Sequence, residues 1–328
     1  VNLNDVSYTR NWIDFELREE SFRFRLERTY DSRSIESGLF GFGWCSNLDT
    51  AIEPQRDGRL LVKDCTPRAL RNDLFERSPR DLKRGFGEAY RLASRPNERI
   101  ERDLSSYTWY RDGGLRERFD LKGRLLERRF KAPFTLRLHY SREGHLDRLE
   151  LNRDSGTRVL LWQVALDPQS GKIRRLSALQ GRTSALADAL VYEYDGEDLV
   201  RAHNAWNHAF HFAYDGLHNL TRIEYPDQTR ETLTYDRDRD RLLSFRGRDG
   251  CIERYTQKEE TLQSPKAGRH LIAEAVRSCE DQVQRRQRRE FWIARSPAGT
   301  SYLARALIKD GSHIRDLVFD RSKKFERN

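Results

Sequence analysis

Apolar and polar residues alternate along most of this chain. Phe22, Phe24 and Leu26 stand against Arg23, Arg25 and Glu27, and Ile13, Phe15 and Leu17 against Trp12, Asp14 and Glu16. A period of two marks half-buried strands. Phe210, Phe212 and Tyr214 share one face and Ala209, His211 and Ala213 the other, so the aromatic side is expected to be buried. Gly, Asp and Asn interrupt the alternation at short intervals, as in Asp57-Gly58 between residues 51 and 63, Asp112-Gly113 and Asp310-Gly311. Hairpin after hairpin is the prediction. The stretch 67–87, broken by Pro79, Gly85 and Gly87, reads as the least strand-like part, with room for a short helix around Asp81.

The hairpins repeat one phrase: an aromatic, Asp, a short turn, an apolar residue. Tyr194-Asp195, Tyr214-Asp215 and Tyr235-Asp236 follow one another at 20 and 21 residues within 192–236. Earlier copies are Phe119-Asp120 with Gly123, Tyr140 with Gly144, and a looser one at Asp167 with Gly171; Tyr255 follows, and Phe319-Asp320 closes the series. A fixed period of this length means one supersecondary unit copied along a sheet. In each turn the Asp is expected to accept backbone N–H groups, while Gly, or Asn219, takes the positive φ. The aromatic and the apolar residue beyond the turn then pack across the hairpin.

Ahead of the repeats, Ser37 to Trp44 sets Gly38, Gly41 and Gly43 among Phe40, Phe42 and Trp44, which reads as a close-packed structural corner. Together with Arg28-Thr29-Tyr30-Asp31-Ser32 and the aromatic-Asp units, it resembles the RHS, or YD-repeat, family of large bacterial surface and toxin-delivery proteins. The resemblance covers most of the chain. It implies that Arg28, Tyr30, Gly38, Gly41, Gly43 and Trp44 belong to an opening region, residues 1–110, ahead of a repeat array at 111–328. It also implies a long antiparallel sheet coiling into a hollow shell that holds a cargo in complete members. In longer members a motif around Asp-Pro and Gly-Leu, with nearby aspartates, resembles a self-cleaving site before a variable toxin. Here the Asp-Pro pair, Asp167-Pro168, lies inside a repeat, so neither self-cleavage nor an appended toxin is expected. With so few repeats, the expectation is all-β: a long, curved antiparallel sheet of hairpin repeats, an open or partial shell.

Composition narrows the picture. A share of 37% apolar against 34% charged residues is lean, so six Trp, thirteen Tyr and sixteen Phe must supply much of the burial. That favours a thin sheet over a compact α/β enzyme. The net charge of +9 comes from Arg interleaved with Asp and Glu, as on solvated strands, and predicts a weak polyanion attraction without a specific nucleic-acid partner. No apolar run is long enough to span a membrane. Val1 and the lack of methionine read as a mature or trimmed segment of a longer precursor.

Candidate chemistry is sparse. Cys45 with Cys65 and Cys251 with Cys279 form two local disulfides, or all four are buried thiols. His203, His208, His211 and His218 lack metal-ligand spacing, and Asp236, Asp238 and Asp240 lack the Gly and Glu of a calcium loop, so neither a metal nor another cofactor is expected. Arg285, Arg286, Arg288 and Arg289, near Trp292, are a candidate polyanion contact, although alternation would split them between two faces. No nucleophile elbow or P-loop occurs, and no catalytic residue is assigned. The expectation is a non-enzymatic scaffold that encloses, displays or docks a protein partner or cargo, secreted or at a bacterial cell surface. The alternative is a glycan- or polyanion-binding adhesin using Trp206 or Trp292.

Overall fold

The computed structural model describes residues 1–19, 22–67, 70–78, 87–181, 190–262, 268–295, 301–319 and 326–327. They are almost entirely antiparallel β-structure, divided between two compact units: Thr9–Phe212, and Val1–Tyr8 with Ala213–Asn328.

In the first unit, Thr9–Glu19 pairs with Phe22–Asp31, and Trp44–Ser46 adds to the other side of Phe22–Asp31. The alternation expected in the first strand breaks at a bulge between Ile13 and Phe15. An extra residue there shifts the phase, so Trp12 and Asp14 turn inward together with Phe15 and Leu17. From Ala51–Pro54 onward each strand pairs with the next in sequence. The predicted hairpin at 51–63 is present, turning at Gly58 with φ 82°. Leu70–Arg77 also pairs with Leu60–Cys65, so part of the stretch read as least strand-like is a strand. The helix expected at Asp81 lies outside the described residues.

Across Phe134–Tyr140, Leu146–Arg153 and Arg158–Leu166 the register places Leu136 beside Leu151, Leu138 beside Leu149 and Trp162 beside Leu149, all buried on one face. The N-terminal hairpin covers that face. Phe15 meets Trp162 edge-on at 4.6 Å, and Phe22 stacks on Phe134 at 4.0 Å.

In the second unit the meander continues through Leu220–Glu224, Arg230–Asp236 and Arg241–Arg246 into the longer strands Ile252–Leu262, Gly268–Cys279, Gln282–Arg295 and Ser301–Asp310. The arm Val1–Tyr8 lies on them: the Leu242 amide donates to the Val6 carbonyl, and Tyr8 stacks on Phe245. Among the described residues no ladder pairs Glu326–Arg327 with Ala51–Pro54, so the sheet is not closed. Cys45 is bonded to Cys65 and Cys251 to Cys279.

Candidate functional site

The repeat turns are the most elaborated feature of the molecule. An Asp carboxylate has lone pairs to fill, and a tight turn exposes N–H groups just ahead of it. Asp120 accepts from the Arg124 amide at 2.9 Å and from its guanidinium Nε at 2.8 Å. Asp167 takes the Gln169 and Ser170 amides, and those bonds hold its carboxyl below the usual range. Asp215 takes the amides of Leu217 and Asn219. In the Tyr140 copy Ser141 stands in for the aspartate and its Oγ accepts the His145 amide. Gly123, Gly144 and Gly171 carry the expected positive φ, but in the Asp215 turn it falls on His218, at φ 64°, rather than on Gly216 or Asn219. Asp195 sits in a tighter hairpin, opposite Asp198, with the positive φ at Gly196, and Asp236 accepts from the Asp238 amide.

Three pairs of successive turns are joined side chain to turn. The residue closing three of the turns reaches forward: Arg124 Nη1 donates to the Gly144 carbonyl at 3.0 Å, Lys172 Nζ meets Glu197 at 2.8 Å, and Asn219 Nδ2 donates to Asp240 at 2.6 Å. The next tyrosine reaches back. Tyr140 donates its hydroxyl to the Leu125 carbonyl at 2.9 Å, and Tyr194 to the Ile173 carbonyl at 2.7 Å. The reaching cation also lies over that tyrosine, Arg124 at 4.7 Å from the Tyr140 ring and Lys172 at 6.0 Å from that of Tyr194. Burial raises the Tyr140 hydroxyl, which keeps it a donor.

The glycine corner and the strand Ala51–Pro54 are fastened to these turns by backbone. Phe42 N–H donates to the Glu197 carbonyl, Ile173 N–H to that of Leu39, and Ile52 N–H to that of Gly123, each at 2.8–2.9 Å. The close approach explains two glycines. A Cβ on Gly41 would stand 2.6 Å from the Glu197 carbonyl, and one on Gly123 would collide with the Ile52 carbonyl. Asp49 holds the corner's shape by accepting the Leu39 and Ser46 amides at 2.7 Å each, and its burial raises its pKa.

Two buried charge clusters lie behind the corner. Arg28 is fully buried, donates Nε to Asp14 at 2.6 Å, and is walled by the rings of Trp44, Phe212, Trp12 and Tyr192 at 4.6–5.8 Å. Its Nη atoms have no hydrogen-bond partner, so the π faces carry that part of its charge. Tyr192 donates to the same Asp14 oxygen at 2.9 Å; burial and that neighbouring carboxylate push its hydroxyl pKa well up. The second cluster runs Asp64, Arg111, Glu117, Arg128. Arg111 bridges both carboxylates, and Arg128 joins Glu117 at 2.6 Å while donating to the Asn47 carbonyl and to Thr50. Burial alone would raise Glu117, but the Arg128 and Arg111 guanidiniums outweigh it and hold the carboxyl low.

The structure thus gathers Arg28, Tyr30 and Trp44 around one core, with the Tyr30 and Trp44 rings 5.4 Å apart, and sets Gly41 against the array. Sequence reading had not singled out the roles of Asp14, Asp49, Glu117 or Tyr192. A signal existed for Glu117, which falls in phase with buried Phe119 on its strand. The basic run splits by strand alternation: Arg285 pairs with Asp310, Arg288 with Glu274 and Glu290, and Arg289 with Asn4. Trp292 is stacked between His270 and Arg305, whereas Trp206 is 45% exposed on its turn. Among the described residues no group of His, Cys, Asp and Glu could hold a metal, and no helix is long and apolar enough to cross a membrane. Asp320 lies outside the described residues.

Residues 6–71 match a protein family described as a domain of unknown function, DUF6531. No curated protein matches the chain. Among solved structures, one titled "Crystal Structure of TcdB2-TccC3-TEV" is similar over 84% of this chain and 19% of that one, with 11% identity and a TM-score of 0.27. This chain therefore spans less than a fifth of that structure's chain.

Proposed function

We propose that this chain is a non-enzymatic, RHS-like β-scaffold that encloses, displays or docks another protein at or outside the cell surface. The observation that carries the reading is the fastening of the glycine corner, through two backbone hydrogen bonds, and of the strand Ala51–Pro54, through a third, onto turns that are joined in pairs. Hairpins held both along their turns and from the N-terminal segment suit a stiff wall. The buried charges are consumed by that bracing: Arg128 ties the segment around Asn47 and Thr50 to the array, and Arg28 is sealed by aromatic rings. Two disulfides suit an oxidising compartment.

The test is co-expression with the protein encoded beside it. Co-elution and protection of that partner from protease are expected, with both lost in Gly41→Val, which separates the corner from Glu197. A partner that stays unbound and is digested at the same rate with and without this chain sinks the proposal. A second reading, glycan adhesion, is favoured by the exposed Trp206 alone; glycan-array signals abolished by Trp206→Ala would replace the first reading with it.

A further inference from the structure

A cavity of about 210 Å3 opens in the unit formed by Val1–Tyr8 and Ala213–Asn328, and the joined turns make no use of its Arg241 and Gln257 side chains. Val6, Leu242, Leu243 and buried Tyr255 form its apolar walls, and Asp236, Arg241 and Gln257 contribute polar groups. Three features set it apart. The half-buried Arg241 side chain has no hydrogen bond or ion pair among the described residues, in a chain whose arginines are mostly paired. Gln257 donates Nε2 to the Asn4 carbonyl at 3.4 Å, but its buried Oε1 receives no donor. Val6, a β-branched residue, is held at φ 54°, in the left-handed region, with its carbonyl fixed by the Leu242 amide. Strain of this kind persists only where the surroundings impose it, and it gathers at ligand clamps.

An unpaired guanidinium calls for an anion, and an orphaned amide oxygen beside it calls for an N–H or O–H donor. The aliphatic walls call for a hydrocarbon side chain. A sugar would need an open ring face, and Tyr255 is 3% exposed. We propose that this cavity receives the free C-terminus of an extended peptide ending in an aliphatic residue. The carboxylate lies on Arg241, the last amide N–H donates to Gln257 Oε1, and the side chain enters among Val6, Leu242 and Leu243. Asp236, one oxygen of which accepts the Asp238 amide, disfavours a second carboxylate. Capture of a terminal carboxylate is an established way of reading a peptide. The inference rests on the docking reading above and names the chemistry by which a partner would be gripped.

The experiment is fluorescence anisotropy of the full chain with fluorescein-labelled Gly-Gly-Ala-Leu, as the free acid and as the C-terminal amide, with glucuronate as competitor. Amidation, or Arg241→Gln, is expected to weaken binding roughly ten- to hundred-fold, the range for a lost charge-assisted hydrogen bond. Leu243→Asp, at a side chain 45% exposed, is expected to abolish binding and leave the unfolding curve in place. Equal binding of acid and amide, undiminished binding by Arg241→Gln, or displacement by glucuronate at the peptide's own concentration overturns the assignment. Absence of binding at about 1 mM peptide does the same. If the peptide fails while the neighbour-encoded protein still co-elutes, the cavity assignment falls and the scaffold reading stands. If the peptide binds and no partner co-elutes, the scaffold reading falls.

Discussion

The two units are built from the same hairpins but bury different things. In Thr9–Phe212 the sheet offers Leu136, Leu149, Leu151 and Trp162, and the N-terminal hairpin covers them with Phe15 and Phe22. In the other unit the strands are longer, yet the buried positions of Gly268–Cys279 and Ser301–Asp310 are Ala273, Ala275 and Ala306, and the flanking faces carry pairs such as Arg288 with Glu274. Small buried residues contribute little burial per position, so these two strands depend more on their ladder of backbone hydrogen bonds, and the first of them on its cross-link. A cover with large side chains, more than strand length, decides how much of a hairpin sheet becomes core.

Mutations should separate the units. Glu117→Ala takes the carboxylate from buried Arg128 and leaves Arg111 with Asp64, and is expected to cost about 3–5 kcal/mol, read by urea unfolding through tryptophan fluorescence. Five of the six tryptophans, Trp12, Trp44, Trp109, Trp162 and Trp206, lie in the unit that change attacks. The same carboxyl makes that unit acid-sensitive. Its folded pKa lies below the ordinary 4.5, so its contribution is complete above that value and is lost as pH falls through the lowered one. A midpoint unchanged between pH 7 and pH 3 would count against it. Cys251→Ser removes the cross-link from the other unit and should cost about 2–4 kcal/mol, seen in the change at Trp292. If the midpoint there matches the wild type, the ladder alone suffices.

Smaller effects test the joins. Gly123→Ala forces a Cβ toward the Ile52 carbonyl at a φ of 81°, and the backbone strain alone should cost about 1–3 kcal/mol. Tyr194→Phe removes one phenol-to-carbonyl bond, about 0.5–1.5 kcal/mol. Double substitution with Tyr140→Phe should be additive within about 0.5 kcal/mol if each join is independent. The smallest effect belongs to Asp310, whose carboxyl is pulled to about 2 by its hydrogen bonds to Arg285 and Gln287. Its contribution is present above the ordinary 3.8 and fades as pH falls toward 2; a titration followed by NMR that finds Asp310 at its ordinary value would remove the pair from consideration.

Strand character and the repeat phrase were legible because both are local: period-two alternation and Asp before a turn are set within a few residues. The bulge at Asp14 was not, since one extra residue reverses the phase without a local signature. Nor was the ranking of tyrosines. Tyr214, at the centre of the most regular stretch, is half-buried, while Tyr192, two positions before a Tyr-Asp pair, is sealed against Asp14 and Arg28. Burial here depends on which strand the N-terminal hairpin covers, and that choice is made by residues almost two hundred positions apart. The forward joins were also hidden, because Arg124, Lys172 and Asn219 share only a side-chain N–H donor, which surface residues carry throughout the chain.

Those joins bear on how such an array can change length. Arg124 reaches a turn 20 residues ahead, Lys172 one 25 ahead and Asn219 one 21 ahead, and each meets its mark. The link fixes where two loops meet and ignores how much strand is spooled between them. Insertions and deletions in the strands are therefore absorbed as slack, and a whole hairpin can be duplicated or lost like a stitch in a hem, its neighbours closing over the gap.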